Sequence, residues 1–170
     1  MSAETVLGAS LFDRMIGEEV KAACNRMHAA VSLGERPYIA FEYRCDAPDV
    51  KRRMRMAVTR LCLPACSPAL LYQSQTLSAV ARPWMSLFEP QRILEHIRAD
   101  SDFPIVRMCS FCQRVASPGL RAEAPIRWIE TEDYYIQGFP SDVRISHGVC
   151  SECSAFGAEE PSLTGRGHAG

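Results

Sequence analysis

Apolar positions along the chain change their spacing as one element gives way to the next. Between Leu11 and Leu33 they fall at Leu11, Phe12, Met15, Ile16, Val20, Ala23, Cys24, Met27, Ala30 and Val31. Steps of three and four residues place them on one face of a helix. Gly17 breaks the pattern near its start, and Gly34 is positioned to end it. From Tyr38 to Cys45 the run Tyr-Ile-Ala-Phe-Glu-Tyr-Arg-Cys is aromatic and β-branched, the composition of a strand. Asp46-Ala-Pro-Asp49 is turn chemistry. Arg53 to Leu61 alternates, with Met54, Met56 and Val58 on one face and Arg53, Arg55 and Thr59 on the other. Cys62-Leu-Pro-Ala-Cys-Ser-Pro68 reads as a two-proline turn, and Ala69 to Val80 as a third strand. One helix followed by three strands predicts an α+β fold, an antiparallel sheet with helix on one face or at one end.

Beyond the third strand the pattern weakens. Pro83 to Pro90 is a linker-like break whose Trp84, Leu87 and Phe88 are expected to cover part of a core. Gln91 to Ala99 reads as a short helix with Ile93, Leu94 and Ile97 on one side. A metal-binding segment runs from Ile105 to about Phe156. The tail from Gly157 to Gly170 is glycine-rich and almost devoid of large apolar residues, so it is expected to be disordered. The organisation predicted is a first domain over 1–82, a linker with a short helix over 83–104, a metal-binding module over 105–156 and a tail over 157–170. No internal repeat of supersecondary length occurs.

Composition narrows the class. The 170 residues suffice for one domain or two small ones with a real core. A net charge of -1 lacks the basic excess of a nucleic-acid or membrane-surface binder. No segment approaches the roughly 18 to 20 apolar residues of a membrane span. The first residues, Met1 to Met15, carry an acid early and lack the layout of a signal peptide. The expected compartment is the cytoplasm, where thiols stay reduced. Eight cysteines then argue for metal binding or buried thiols rather than a disulfide scaffold.

Four of those cysteines carry the chemistry. Met108-Cys-Ser-Phe-Cys112 and Ser146-His-Gly-Val-Cys-Ser-Glu-Cys153 each hold two cysteines separated by two residues. That spacing lets both thiolates of a tight knuckle point at one ion, and two knuckles complete a tetrahedral set. Cys109, Cys112, Cys150 and Cys153 are therefore the expected ligands of one structural Zn²⁺. The chain between the pairs leaves room for a small hairpin and a helix. Four thiolates also admit an iron–sulfur cluster, and a thioredoxin-like redox pair at Cys109 and Cys112 would leave Cys150 and Cys153 unexplained. His147 is either a replacement ligand or a residue supporting the second knuckle. Four thiolates leave no open coordination position, and no His-x-Glu accompanies the cysteines as in zinc deaminases. No catalysis is expected. Trp128, Ile129, Tyr134 and Tyr135 are expected to build a small core around the metal.

Other groups carry less. Cys62 and Cys66 flank Leu-Pro-Ala and could form an oxidation switch, or could be two reduced thiols in a loop. Cys24 and Cys45 are accounted for by core packing. Lys51-Arg-Arg53 with Arg55 is the one basic cluster, expected on a solvated strand face with Glu42, Asp46 and Asp49 as partners.

The run from Val106 to Ala155, with Cys-Ser-Phe-Cys, Trp-Ile-Glu, Tyr-Tyr and Ser-His-Gly-Val-Cys-Ser-Glu-Cys, resembles a cysteine-rich module of bacterial signalling proteins. There it often follows PAS, receiver or related sensory domains. The preceding block is similar to the second half of a PAS domain: the helix ending near Gly34, then Phe-Glu-Tyr-Arg-Cys-Asp-Ala-Pro-Asp, Lys-Arg-Arg-Met-Arg-Met-Ala-Val and the strand after Pro68. The first PAS hairpin is missing from the pattern. The resemblance implies an intracellular sensory or regulatory protein acting through protein–protein contact, with a signalling protein as partner. A thiol-redox switch or oxidoreductase using Cys62 and Cys66, and an iron–sulfur protein, are the rival readings. A three-stranded sheet leaves an open edge, so a homodimer is also expected.

Overall fold

A computed structural model describes residues 7–15, 17–61, 69–89, 103–117 and 126–155. The Cys62–Pro68 turn with Cys62 and Cys66, the Gln91–Ala99 helix and the tail from Gly157 lie outside the described residues.

Where the apolar spacing is three to four, the chain forms a 3₁₀ turn at Phe12–Arg14 and then α1 (Glu18–Ser32). The two are separated at Gly17, whose φ of 94° is open to glycine and strained for other residues. Gly34, at φ 78°, ends the helix, its N–H bonded to the Val31 carbonyl at 3.2 Å. Val20, Ala23, Met27 and Val31 form the buried stripe.

Three antiparallel strands follow in the order β1-β2-β3: β1 (Tyr38–Arg44), β2 (Val50–Leu61) and β3 (Ala69–Ala81). Phe41 pairs Met56 and Tyr43 pairs Met54, so the alternating apolar residues of β1 and β2 share one face. β2 starts at Val50, earlier than its alternation suggests, because the tight Ala47–Val50 bridge returns the chain at once and a bulge at Arg53/Met54 resets the period. Cys45 falls just beyond β1 and is exposed, so core packing does not account for it. Cys24 is half-buried against the core of α1.

The second sheet has the order β6-β5-β4-β7, built from β4 (Ile105–Cys109), β5 (Val115–Ser117), β6 (Arg127–Ile129) and β7 (Arg144–Gly148). A short α2 (Thr131–Ile136) separates β6 from β7, and α3 (Ser151–Ser154) follows. β4 and β5, and β5 and β6, are antiparallel, whereas β4 and β7 run parallel.

The pleat of this sheet divides the apolar residues between two cores. Val106, Met108, Val115, Ile129, Tyr134 and Val143 face one side, where Met85, Leu87 and Phe88 pack on them. Leu87 and Phe88 thus cover a core as expected, but Trp84 is exposed and donates its indole N–H to Glu89 at 2.7 Å. On the other side Cys109, Phe111, Cys150 and Cys153 share a core with Ala23, Met27 and Val31 of α1 and Ile39 of β1. The expected aromatic core around the cysteines is therefore split. Trp128 packs on the cysteine side, while Ile129, Tyr134 and Tyr135 belong to the opposite one, because neighbours on a strand point to opposite faces.

An ion-pair network ties the sheets together. The Asp46 carboxylate, fully buried, accepts from Arg82 at 2.8 Å, from the Arg52 N–H at 2.9 Å and from Arg44. Arg44 also reaches Glu130 at 2.6 Å, and Lys51 reaches Glu130 at 3.1 Å and Glu132 at 3.4 Å. Lys51 is thus turned toward the second sheet rather than lying on a solvated face with its strand neighbours. Arg53 does pair with Glu42, at 3.4 Å and well exposed. Removing one partner of a buried pair leaves its counter-charges stranded. Asp46→Ala should therefore lower the unfolding free energy by about 3 kcal/mol or more, and Arg53→Ala by less than about 1 kcal/mol, as read by urea titration. Equal losses would show that Asp46 holds nothing together.

Candidate metal centre

The first knuckle begins where β4 ends. Cys109 donates its N–H to the Arg114 carbonyl at 2.8 Å, and Gln113 donates to the Cys109 carbonyl at 2.9 Å. That tight return puts Gln113 at φ 58°, a left-handed conformation that costs a side-chain-bearing residue energy. Its Oε1 accepts the Asp46 N–H at 3.0 Å, which fixes the strained residue to the end of the first sheet. Arg44 N–H to the Phe111 carbonyl at 2.7 Å and an edge-on Phe41–Phe111 contact at 5.7 Å dock the same knuckle on β1.

Parallel pairing of β4 with β7 sets Gly148 beside Cys109, so the second knuckle starts alongside the first. Cys150 caps α3, its Sγ accepting the Cys153 N–H at 3.4 Å, and the Cys150 N–H points at the Cys109 Sγ at 3.4 Å. The sulfurs of Cys109, Cys112, Cys150 and Cys153 all lie within 4.8 Å of one another, and this is the group among the described residues that could hold a metal ion. Three of the four cysteines are buried and Cys112 is half-buried. The expected ligand set is thus brought to one point. A tetrahedral ion with metal–sulfur bonds of about 2.3 Å separates its ligands by roughly 3.8 Å, and Cys112 and Cys150 stand 3.7 Å apart.

Crowding governs the ionisation of these thiols. Hydrogen bonds from the Cys112 and Cys153 thiols, aided by the backbone N–H groups of Cys112 and Cys150, hold Cys109 far below the usual thiol range despite burial. The same neighbour pushes Cys112 up to about 12 and Cys153 higher still. Ionising Cys109 thus opposes ionising Cys112 and Cys153. A cation at the centre would remove that conflict, since a coordinating thiol deprotonates outright.

Residues with no sequence signal hold the second knuckle. The Glu19 carboxylate at the start of α1 accepts the Val149 N–H at 3.1 Å and pairs with Arg107. Arg107, with its guanidinium 5.8 Å from the Trp128 ring, crosses β7 at Gly148, where a side chain would collide with it. Gly17 serves the same junction, because a Cβ there would stand 3.1 Å from the His147 carbonyl. The His147 ring is not one of the grouped ligands. Register pairs it with Met108, on the pleat face of Ile145 rather than that of Cys109. Burial lowers its pKa. Comparison with models of known protein families, with curated proteins and with solved structures finds no match.

Two outcomes follow. His147→Ser should keep the metal in elemental analysis while Cys112→Ser loses it; parallel loss would make His147 a ligand. Burial alone would raise the Glu130 pKa, but Arg114, Lys51 and Arg44 outweigh it, so the folded value lies below 4.5. Glu19 is lowered by its hydrogen bonds to Arg107 and Val149. A depressed carboxylate stabilises the fold above its unfolded pKa and loses that contribution as pH falls through the folded value. Stability should therefore drop progressively below about pH 4.5, followed by circular dichroism. Glu130→Gln should flatten this acid limb, and an unchanged limb would remove Glu130 from the account.

Proposed function

We propose that the chain is a non-catalytic regulatory protein of the bacterial cytoplasm, built around one structural zinc ion and acting through contact with other proteins. The observation that carries this reading is the group of four cysteine sulfurs within 4.8 Å of one another, two of them 3.7 Å apart. Soft sulfur ligands favour zinc over magnesium or calcium. In an iron–sulfur cluster the four thiolates are divided among two or four irons joined by sulfide, which spreads the set wider than one ion does. Four protein ligands leave no place for water or substrate on the metal, so its role is to hold two knuckles together.

Support for a PAS-like sensory half comes from order and pairing: a helix closed by Gly34, then three antiparallel strands with the helix over one face. No helix among the described residues is long and apolar enough to cross a membrane. The metal centre is packed directly on that helix, so a signal that shifts α1 would be felt at the knuckles.

Elemental analysis of the purified chain should find about one zinc per molecule and a colourless protein. Cys150→Ser should lose the metal and unfold the C-terminal half. Stoichiometric iron with visible absorbance would overturn the zinc assignment, and a metal-free chain with unchanged near-UV circular dichroism would overturn the structural role.

A further inference from the structure

Among the described residues, the longest strand is also the least protected. β3, 13 residues long, bonds to β2 on one side, and no described residue pairs with its other edge. Every residue from Leu71 to Thr76 is exposed, and Val80 is 61% exposed. Open edges are normally blunted by charge, proline or shortness. β3 carries no charged residue and no proline across its length.

The order of residues along this edge is partly symmetric about Gln75, with Tyr72/Ser78 and Gln73/Leu77 as its two mismatches. Ala69, Leu70, Leu71 and Tyr72 open it, Gln73-Ser-Gln-Thr76 is polar, and Leu77, Ala79, Val80 and Ala81 close it. We propose that β3 is a docking edge and that its occupant is β3 of a second copy, antiparallel, with the two-fold axis at Gln75. Ser74 then faces the partner's Thr76, Leu71 its Ala79, Leu70 its Val80 and Tyr72 its Ser78. Ser74–Thr76 is polar on polar, and Leu71–Ala79, Leu70–Val80 and Ala69–Ala81 are apolar on apolar, cross-strand pairs of the kind that stabilise sheets; Tyr72–Ser78 and Gln73–Leu77 are mixed. A charged foreign strand would find no opposite charge on β3. Residues directly opposite lie on the same face, so the two three-stranded sheets become one of six with both α1 helices on one side. Parallel self-pairing would instead set the helices on opposite faces, with the weaker ladder. This names the partner for the contact role proposed above and is independent of which metal is bound.

Gln75 lies at the proposed axis, so a charge there meets itself. Sedimentation of the full metal-loaded chain at micromolar concentration should show a dimer. Gln75→Lys and Gln75→Glu should each weaken dimerisation at least tenfold, and an equimolar mixture should recover it as a heterodimer. Recovery also proves that both variants fold. Leu71→Lys mixed with Ala79→Glu should recover likewise, which a parallel pairing does not allow. A monomeric native chain, dimers insensitive to either charge, or mixtures that stay monomeric would overturn the proposal. So would a native monomer that instead takes up an added uncharged strand peptide. Metal content measured on the same samples separates these results from failure of the zinc reading.

Discussion

Four sulfurs held within 4.8 Å cannot all be anions without a cation among them, and the rest of the fold is arranged around that repulsion. Each neighbouring element restrains one part of the thiolate set. β4 presents Cys109, the parallel β7 delivers the second knuckle beside it, β1 clasps the first knuckle through Phe111, and the start of α1 clasps the second through Glu19. With the centre neutralised, these restraints agree with one another. Without it, an ionised Cys109, fully buried, opposes ionisation of Cys112 and Cys153 beside it.

A second polar assembly complements the first. Asp46 gathers Arg44, Arg82 and a backbone N–H at a point with no exposure, while Glu130 and Glu132 draw in Arg44, Lys51 and Arg114. Arg82 adds a stacking contact, its guanidinium lying 4.4 Å from the Phe88 ring. Buried charges of this kind contribute little net stability compared with apolar packing. Their geometric demands are strict, however, and they fix how the first sheet meets the second in a way that greasy surfaces would not.

Period and punctuation carried much of the architecture. The helical stripe from Val20 to Val31, its break at Gly17 and its end at Gly34 were legible because one face is buried and glycine marks both boundaries. The three long strands and the four grouped cysteines were legible for similar local reasons. The clasp on the metal centre was not. Glu19 meets Arg107 and Val149 far along the chain, and Arg44 meets Glu130, through contacts that leave no period behind. The closeness of Tyr134 and Tyr135 to Trp128 in sequence points to the metal side. The pleat at Ile129 and the turn into α2 instead carry them to the other face. Alternation makes Lys51 a surface charge because it reports the face of a strand but not that Glu130 and Glu132 are brought to its end.

The parallel pairing of β4 and β7 has a kinetic side. Parallel strands cannot be joined by a tight turn. The chain must run out through β5, β6 and α2 before Gly148 can settle next to Cys109. Loop closure of this kind is met in entropy before any metal–sulfur bond can reward it. An ion held by the four cysteines would therefore load as part of folding, after the polypeptide has returned, and would close that long loop once seated.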